Sequence, residues 1–147
     1  MTDYIPSLKL LSDYNNLNNT VSTLKRTDSF ELAKKSINTD SISYILEFEK
    51  NKKIKILNPD TSIDKRNLQL LIDYILKIKI LTLRVATLPS LHLVNKIYVY
   101  LQQDLTEKFI LQFIEQPEIL GGAIIEYSGK NYDKSLLKNV NSLYESI

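Results

Sequence analysis

The apolar positions of residues 7–26 fall at Leu10, Tyr14, Leu17, Val21 and Leu24, with alternating spacings of four and three. That stripe predicts an amphipathic helix, or one that pairs with another, although Asn15, Asn16, Asn18 and Asn19 in its middle are poor helix formers. Asp28 followed by Glu31 has capping-box spacing and predicts a short helix to about Ile37. Residues 40–57 support two readings. Ile42, Tyr44, Leu46 and Phe48 alternate as in a strand, while Ile42, Ile45, Leu46 and Glu49 fit one helix face. Beyond Lys50-Asn51-Lys52-Lys53, the segment Ile54-Lys55-Ile56-Leu57 reads as extended and Asn58-Pro59-Asp60 as a turn. Thr61 with Asp64 is the next capping signal. It opens a helix whose face carries Leu68, Leu71, Ile72, Ile75 and Ile78, a stripe dense enough to be buried.

From Ile80 the period changes. Leu81, Leu83 and Val85 alternate with Thr82 and Arg84, predicting a strand that Pro89-Ser90 ends. A helix follows with Val94, Ile97, Tyr98 and Leu101 on one face, running to about Gln103. Phe109 to Ile114 is almost continuously apolar and reads as a central strand. A turn over Pro117–Gly121, a strand Ala123–Tyr127, a tight turn at Ser128-Gly129-Lys130-Asn131, a short return strand and a helix Leu136–Ser146 complete the pattern. The expected chain is therefore α+β. Residues 1–77 form a mainly helical domain, and residues 78–147 form a small β-α-β-β-α domain.

Composition narrows the function classes. Apolar content of 44% and charged content of 24% are those of a globular chain. A net charge of +2 is small for a nucleic-acid partner, which usually meets a clear basic stripe. The absence of cysteine excludes disulfides and thiolate chemistry, and a single histidine, His92, excludes a multi-histidine metal site. No secretory signal is expected at Met1-Thr2-Asp3-Tyr4. The apolar stretch Leu68–Leu88 is interrupted by Asp73, Lys77, Lys79 and Arg84, which rules it out as a bilayer span.

All three glycines lie between Pro117 and Leu136, so the demanding backbone geometry is concentrated there. A Walker loop needs glycine five residues before Gly129-Lys130, where Ile124 stands, and Ser or Thr where Asn131 stands. A dinucleotide fingerprint needs a helix after its glycines, whereas Gly121-Gly122 enters a strand. His92 has no nucleophile motif beside it and reads as a surface or capping residue. Glu47 and Glu49 could share a strand face, but paired acid–base carboxylates also need a pocket. Lys50, Lys52, Lys53 and Lys55 offer a contact to phosphate or an acidic partner, against the plainer reading of a solvated turn. Tyr98, Tyr127 and Tyr144 stand at packing periods. No catalytic constellation emerges, and neither a cofactor nor a metal is expected.

Taken together, Val85-Ala86-Thr87-Leu88-Pro89-Ser90, Phe109–Ile114, Gln116-Pro117, Gly121-Gly122, Gly129-Lys130, Asp133-Lys134-Ser135 and Leu136–Leu143 resemble, in order and spacing, the C-terminal part of the delta subunit of F-type ATP synthases. The mitochondrial equivalent is the oligomycin-sensitivity-conferring protein. Pro117, Gly121, Gly122, Gly129, Asp133 and Ser135 are the signature positions. The resemblance has departures. The family usually has Asp at the place of Gln116 and Gly at the place of Lys134, and its N-terminal domain is a six-helix bundle longer than residues 1–77. What the resemblance implies is a non-catalytic stator subunit that joins the catalytic head to the peripheral stalk. Its N-terminal helices would grip N-terminal segments of the alpha subunits by helix-in-groove packing. Its C-terminal domain would take the amphipathic end of the b subunit. It would sit peripherally at the cytoplasmic face of a bacterial inner membrane, or the organellar equivalent. Leu10, Tyr14, Leu17, Val21 and Leu24, with Leu136, Val140 and Leu143, are the expected partner-binding positions. Two alternatives stand beside it. One is the E-type stator subunit of V/A-type rotary ATPases, whose long N-terminal coiled coil this chain lacks. The other is a small nucleic-acid-binding domain using the lysine cluster.

Overall fold

The computed structural model describes residues 3–58, 62–118 and 123–131. The fold is mixed α+β, with the helices first. The chain divides into two compact units, with the boundary between Ile78 and Lys79.

In the N-terminal unit, α1 spans Leu11–Arg26, α2 Phe30–Ala33, α3 Thr39–Lys52 and α4 Lys65–Leu76. Helix α1 begins later than its apolar stripe suggests. Residues 5–8 close a turn, in which the Leu8 N–H donates to the Ile5 carbonyl at 3.1 Å. Helix α2 is a single turn and stops short of Ile37. The ambiguity of residues 40–57 resolves to helix. Asn38 caps α3, its side chain accepting from the Asp40 and Ser41 N–H groups at 2.8 and 3.2 Å. Ser41, Ile45, Phe48 and Glu49 then face inward at helical spacing, while Leu46 faces out. A strand would have put Leu46 and Phe48 on the same side. For α4 the cap is Asp64 rather than Thr61, with Asp64 Oδ1 accepting the Asn67 N–H at 3.0 Å. Leu68, Leu71, Tyr74 and Ile75 are buried along it. The Lys65 ammonium donates to the carbonyls of Leu24, Lys25 and Thr27, closing the C-terminal end of α1 where a cation is favoured.

Residues 3–8 contribute to this core. Ile5 and Leu8 are fully buried, the Tyr74 hydroxyl donates to Asp3 Oδ1 at 2.9 Å, and Tyr4, Phe48 and Tyr74 form an aromatic trio with centroids 5.5–5.6 Å apart. Burial first, and the charge of Asp13 second, push the Tyr44 phenol up from its ordinary value of 10 to about 12. Burial and Asp3 push that of Tyr74 up further. Since folding raises both values, the stability that each phenol contributes is complete below pH 10 and is lost as pH rises through the folded value. Unfolding free energy should therefore fall as pH climbs from 10 to about 12. An absorbance titration should show Tyr44 ionising well after exposed tyrosines.

The turn after α3 is held by a buried carboxylate. Glu49 Oε2 accepts the N–H groups of Ile56 and Leu57 at 2.9 and 2.8 Å, and the Glu49 carbonyl accepts from Ile54. Leu57 then bridges Ile63 in antiparallel fashion. Glu49→Ala leaves two buried donors unpaired and should cost about 2–3 kcal/mol in urea denaturation, with Glu49→Gln closer to wild type.

The C-terminal unit contains β1 (Lys79–Val85), α5 (Leu91–Gln102), β2 (Phe109–Glu115), β3 (Ala123–Tyr127) and β4 (Lys130–Asn131). The sheet order is β2-β1-β3-β4. β1 pairs parallel to β2, with Leu81 opposite Leu111, and antiparallel to β3, with Leu83 opposite Ile125. The helix α5 supplies the crossover that a parallel pair requires. Ser90 caps it by accepting the Leu93 N–H at 3.3 Å. The expectation that Phe109–Ile114 is central is corrected here. β2 lies at the edge of the described sheet, and β1 is interior. Its apolar run has another cause. Phe109, Ile110 and Leu111 are buried in succession, with the Tyr98 ring stacked 4.6 Å from Phe109, whereas Gln112–Ile114 are only half-buried. The expected four-residue turn is also tighter. Ser128 and Gly129, at φ 53° and 76°, form a two-residue hairpin, and Lys130 already pairs with Tyr127. The expected final helix, with Asp133, Ser135, Leu136, Val140 and Leu143, lies outside the described residues, as do Gly121 and Gly122.

Candidate partner-binding surfaces

The predicted partner stripe on α1 is used inside its own unit. Leu17 and Leu24 are fully buried, Val21 is buried, and Leu10 and Tyr14 are half-buried, with the Tyr14 hydroxyl donating to the Ile75 carbonyl at 3.3 Å. Leu17, Val21 and Leu24 pack α1 into its own core, so the body of the stripe offers no free apolar face to a partner. The expectation that the stripe is surface left over after folding is corrected at Leu17, Val21 and Leu24. A stripe of five residues over four turns is the width that a helix needs to enter its own core, and nothing in the sequence separates that use from pairing with another chain.

Exposed apolar side chains lie elsewhere. Leu46, Leu70 and Leu76 are exposed in the N-terminal unit, and Ile80, Leu88, Leu91 and Val99 in the C-terminal one. Leu91 and Val99 stand off the buried α5 face of Leu93, Val94, Ile97, Tyr98 and Leu101. Leu91 and Val99 fall outside the helical stripe of α5, and Leu88 lies in the connection before it. For Leu91 and Val99 that breach of period is the signal by which the sequence could have marked them.

One face of the C-terminal sheet carries Leu81, Leu83, Val85 and Ile125, all buried. The other carries Thr82, Arg84, Gln112 and Glu126, half-buried and knitted across strands. Thr82 Oγ1 donates to Gln112 Oε1 at 3.1 Å, and Arg84 Nε donates to Glu126 Oε1 at 2.8 Å. Exposed Ile80 and half-buried Ile114 and Ile124 share that face through the same registers. It is a polar-laced surface whose two charges pair with each other.

Of the signature positions within the described residues, Pro117 is exposed in the turn after β2, and Gly129 stands in the β3–β4 hairpin. A side chain at Gly129 would meet nothing within 4 Å. The cost of Gly129→Ala is therefore the left-handed backbone alone, about 1 kcal/mol in thermal or urea denaturation, and Gly129→Asn should cost less.

The candidates weighed for chemistry are dispersed. His92 is exposed at the second residue of α5. Glu47 and Glu49 lie on a helix rather than a strand. Glu47 binds the Ser7 N–H and hydroxyl, while Glu49 is committed to the turn at Ile56. Lys52 leaves the other cluster lysines and sits 4.8 Å over the Tyr4 ring. A second lysine, Lys108, is buried, with its ammonium donating to the Tyr98 hydroxyl at 2.9 Å. Among the described residues no group of three or more His, Cys, Asp or Glu side chains could hold a metal, and no helix is long and apolar enough to cross a membrane. Comparison with models of known protein families and with curated proteins gives no match to this chain.

Proposed function

We propose that this protein is a non-catalytic stator subunit of an F-type ATP synthase, of the delta or oligomycin-sensitivity-conferring kind. It would join the catalytic head to the peripheral stalk and resist rotor torque during proton-driven ATP synthesis. It would act peripherally at the cytoplasmic face of a bacterial inner membrane or its organellar equivalent. The observation that supports this reading is the agreement between element ends and signature residues in the C-terminal unit. Val85–Ser90 is the corner between β1 and α5, Gln116-Pro117 follows β2, β3 starts immediately after Gly121-Gly122, and Gly129 closes the hairpin. The N-terminal unit departs from a six-helix bundle, with four helices and two isolated β-bridges among the described residues.

On this reading the chain works through surfaces. The C-terminal unit offers the b subunit Leu88, Leu91 and Val99, which stand exposed. The N-terminal unit receives the alpha-subunit segments. Affinity-tagged full-length chain should co-purify with alpha and b subunits, and Leu91→Asp should release b while leaving the fold intact by circular dichroism. A stable monomer that binds neither subunit would sink the reading.

A further inference from the structure

An open groove of about 530 Å³ runs beside the C-terminal end of α3, lined by Leu46, Glu49, Lys50, Lys53, Ile54 and Lys55. Its floor is apolar. Leu46 is 49% exposed, and half-buried Ile54 adds a second apolar side chain to the lining. Its rim is cationic. Lys50, Lys53 and Lys55 are exposed, and their ammonium groups have no hydrogen-bond or ion-pair partner among the described residues. The one carboxylate of the groove, Glu49, is buried and accepts from Ile56 and Leu57, and it offsets one of the three lysine charges, so the lining keeps a formal excess of two positive charges.

Lys53 adds a second point. It is the C-cap of α3 at φ 62° and ψ 48°, the left-handed conformation in which helices usually place glycine or asparagine. Proximity to the helix end accounts for some basic character at Lys50 and Lys53. It does not account for Lys55, which lies beyond the helix, or for the exposed leucine that shares the groove with the charges.

We propose that this groove is a docking site for an acidic amphipathic helix of a partner protein. The helix would lay its apolar residues on Leu46 and Ile54 and present carboxylates to Lys50, Lys53 and Lys55. The complementarity has two halves, and together they select the occupant. A nucleic-acid backbone would satisfy the lysines but leave the leucine floor in water, whereas an amphipathic acidic helix satisfies both. The inference stands on the groove alone and is independent of the ATP synthase reading.

The test is an amide chemical-shift titration of the isotope-labelled full-length protein. The probe is a synthetic leucine–glutamate amphipathic helix of about 18 residues. Saturable shifts are expected at Leu46, Lys50 and Lys53–Lys55. Double charge reversal, Lys50→Glu with Lys55→Glu, should weaken binding about tenfold or more, and Leu46→Ser by a similar factor. Lys53→Gly is the discriminating variant. It relieves the left-handed backbone, so the fold is kept or stabilised, yet binding should fall about two- to fivefold. Three results would overturn the proposal: shifts scattered away from the groove, equal binding of the matching leucine–lysine helix, or unchanged affinity in the Lys53→Gly protein. Tighter binding of single-stranded oligo-deoxythymidine than of the acidic helix would overturn it in favour of a nucleic-acid surface.

Discussion

Replacing Phe48 with alanine is expected to lower the unfolding free energy by about 3–5 kcal/mol, the largest loss of any single substitution in the N-terminal unit. Phe48 is 1% exposed and stands at the centre of the aromatic trio, 5.5 Å from both Tyr4 and Tyr74. Its removal loses the transfer energy of the ring. It also leaves a cavity between the N-terminal segment, α3 and α4, whose walls are held by fixed hydrogen bonds and cannot collapse freely. Asp3 is tied to the Tyr74 hydroxyl and Asn51 Nδ2 donates to the Tyr4 carbonyl at 2.9 Å, so both neighbours of the cavity are tethered. Against typical domain stabilities of about 5–15 kcal/mol, such a loss should shift the urea midpoint severely. Phe48→Leu should recover most of it. Leu70→Ala, on the exposed side of α4, is the control and should stay within about 0.5 kcal/mol of wild type.

Tyr98→Ala should be the counterpart in the C-terminal unit, again at about 3–5 kcal/mol. Tyr98 is 1% exposed, and its ring stacks on Phe109 at an interplanar angle of 26°. Its hydroxyl does two things at once. It donates to the Phe109 carbonyl at 3.0 Å and accepts from the buried Lys108 ammonium at 2.9 Å. Tyr98→Phe keeps the packing and removes only the hydroxyl, so it isolates the polar part at about 1–3 kcal/mol. In a double-mutant cycle with Lys108→Met, the two substitutions should be less costly together than the sum of each alone, by about 1 kcal/mol or more. Additive losses would mean that the hydroxyl and the ammonium do not support one another. Hydrogen exchange at the β2 amides gives an independent reading, because Tyr98 anchors that strand at its first residue.

The described elements of the C-terminal unit were largely legible from the chain. The alternation of Leu81, Leu83 and Val85, the Ser90 cap and the α5 stripe each rest on a local rule, and each is found where that rule puts it. Residues 40–57 were harder, since short apolar runs satisfy both periods. The deciding element was the Asn38 cap, whose side chain satisfies the first free N–H groups of a helix. The strand order was less legible. Continuous apolarity in Phe109–Ile114 measures burial of side chains, and a strand can be buried on both faces at its start while lying at the edge of the hydrogen-bonded sheet.

For the candidate surfaces the division is sharper. Sequence alone determined the chain's α+β character, the helix-to-mixed change near Ile78, the exclusion of cysteine chemistry and the hairpin at Gly129, because composition, period and backbone permissiveness are local properties. Tertiary structure decided which apolar stripes are spent. It buried the body of the α1 stripe that looked free for a partner and left Leu46 and Leu91 in water. It also drew Lys52 onto the Tyr4 ring while gathering Lys50, Lys53 and Lys55 around one groove. The physical reason is that burial depends on what lies opposite a side chain, and residues such as Glu49 and Ile56, or Asp3 and Tyr74, become neighbours only after the chain has closed on itself.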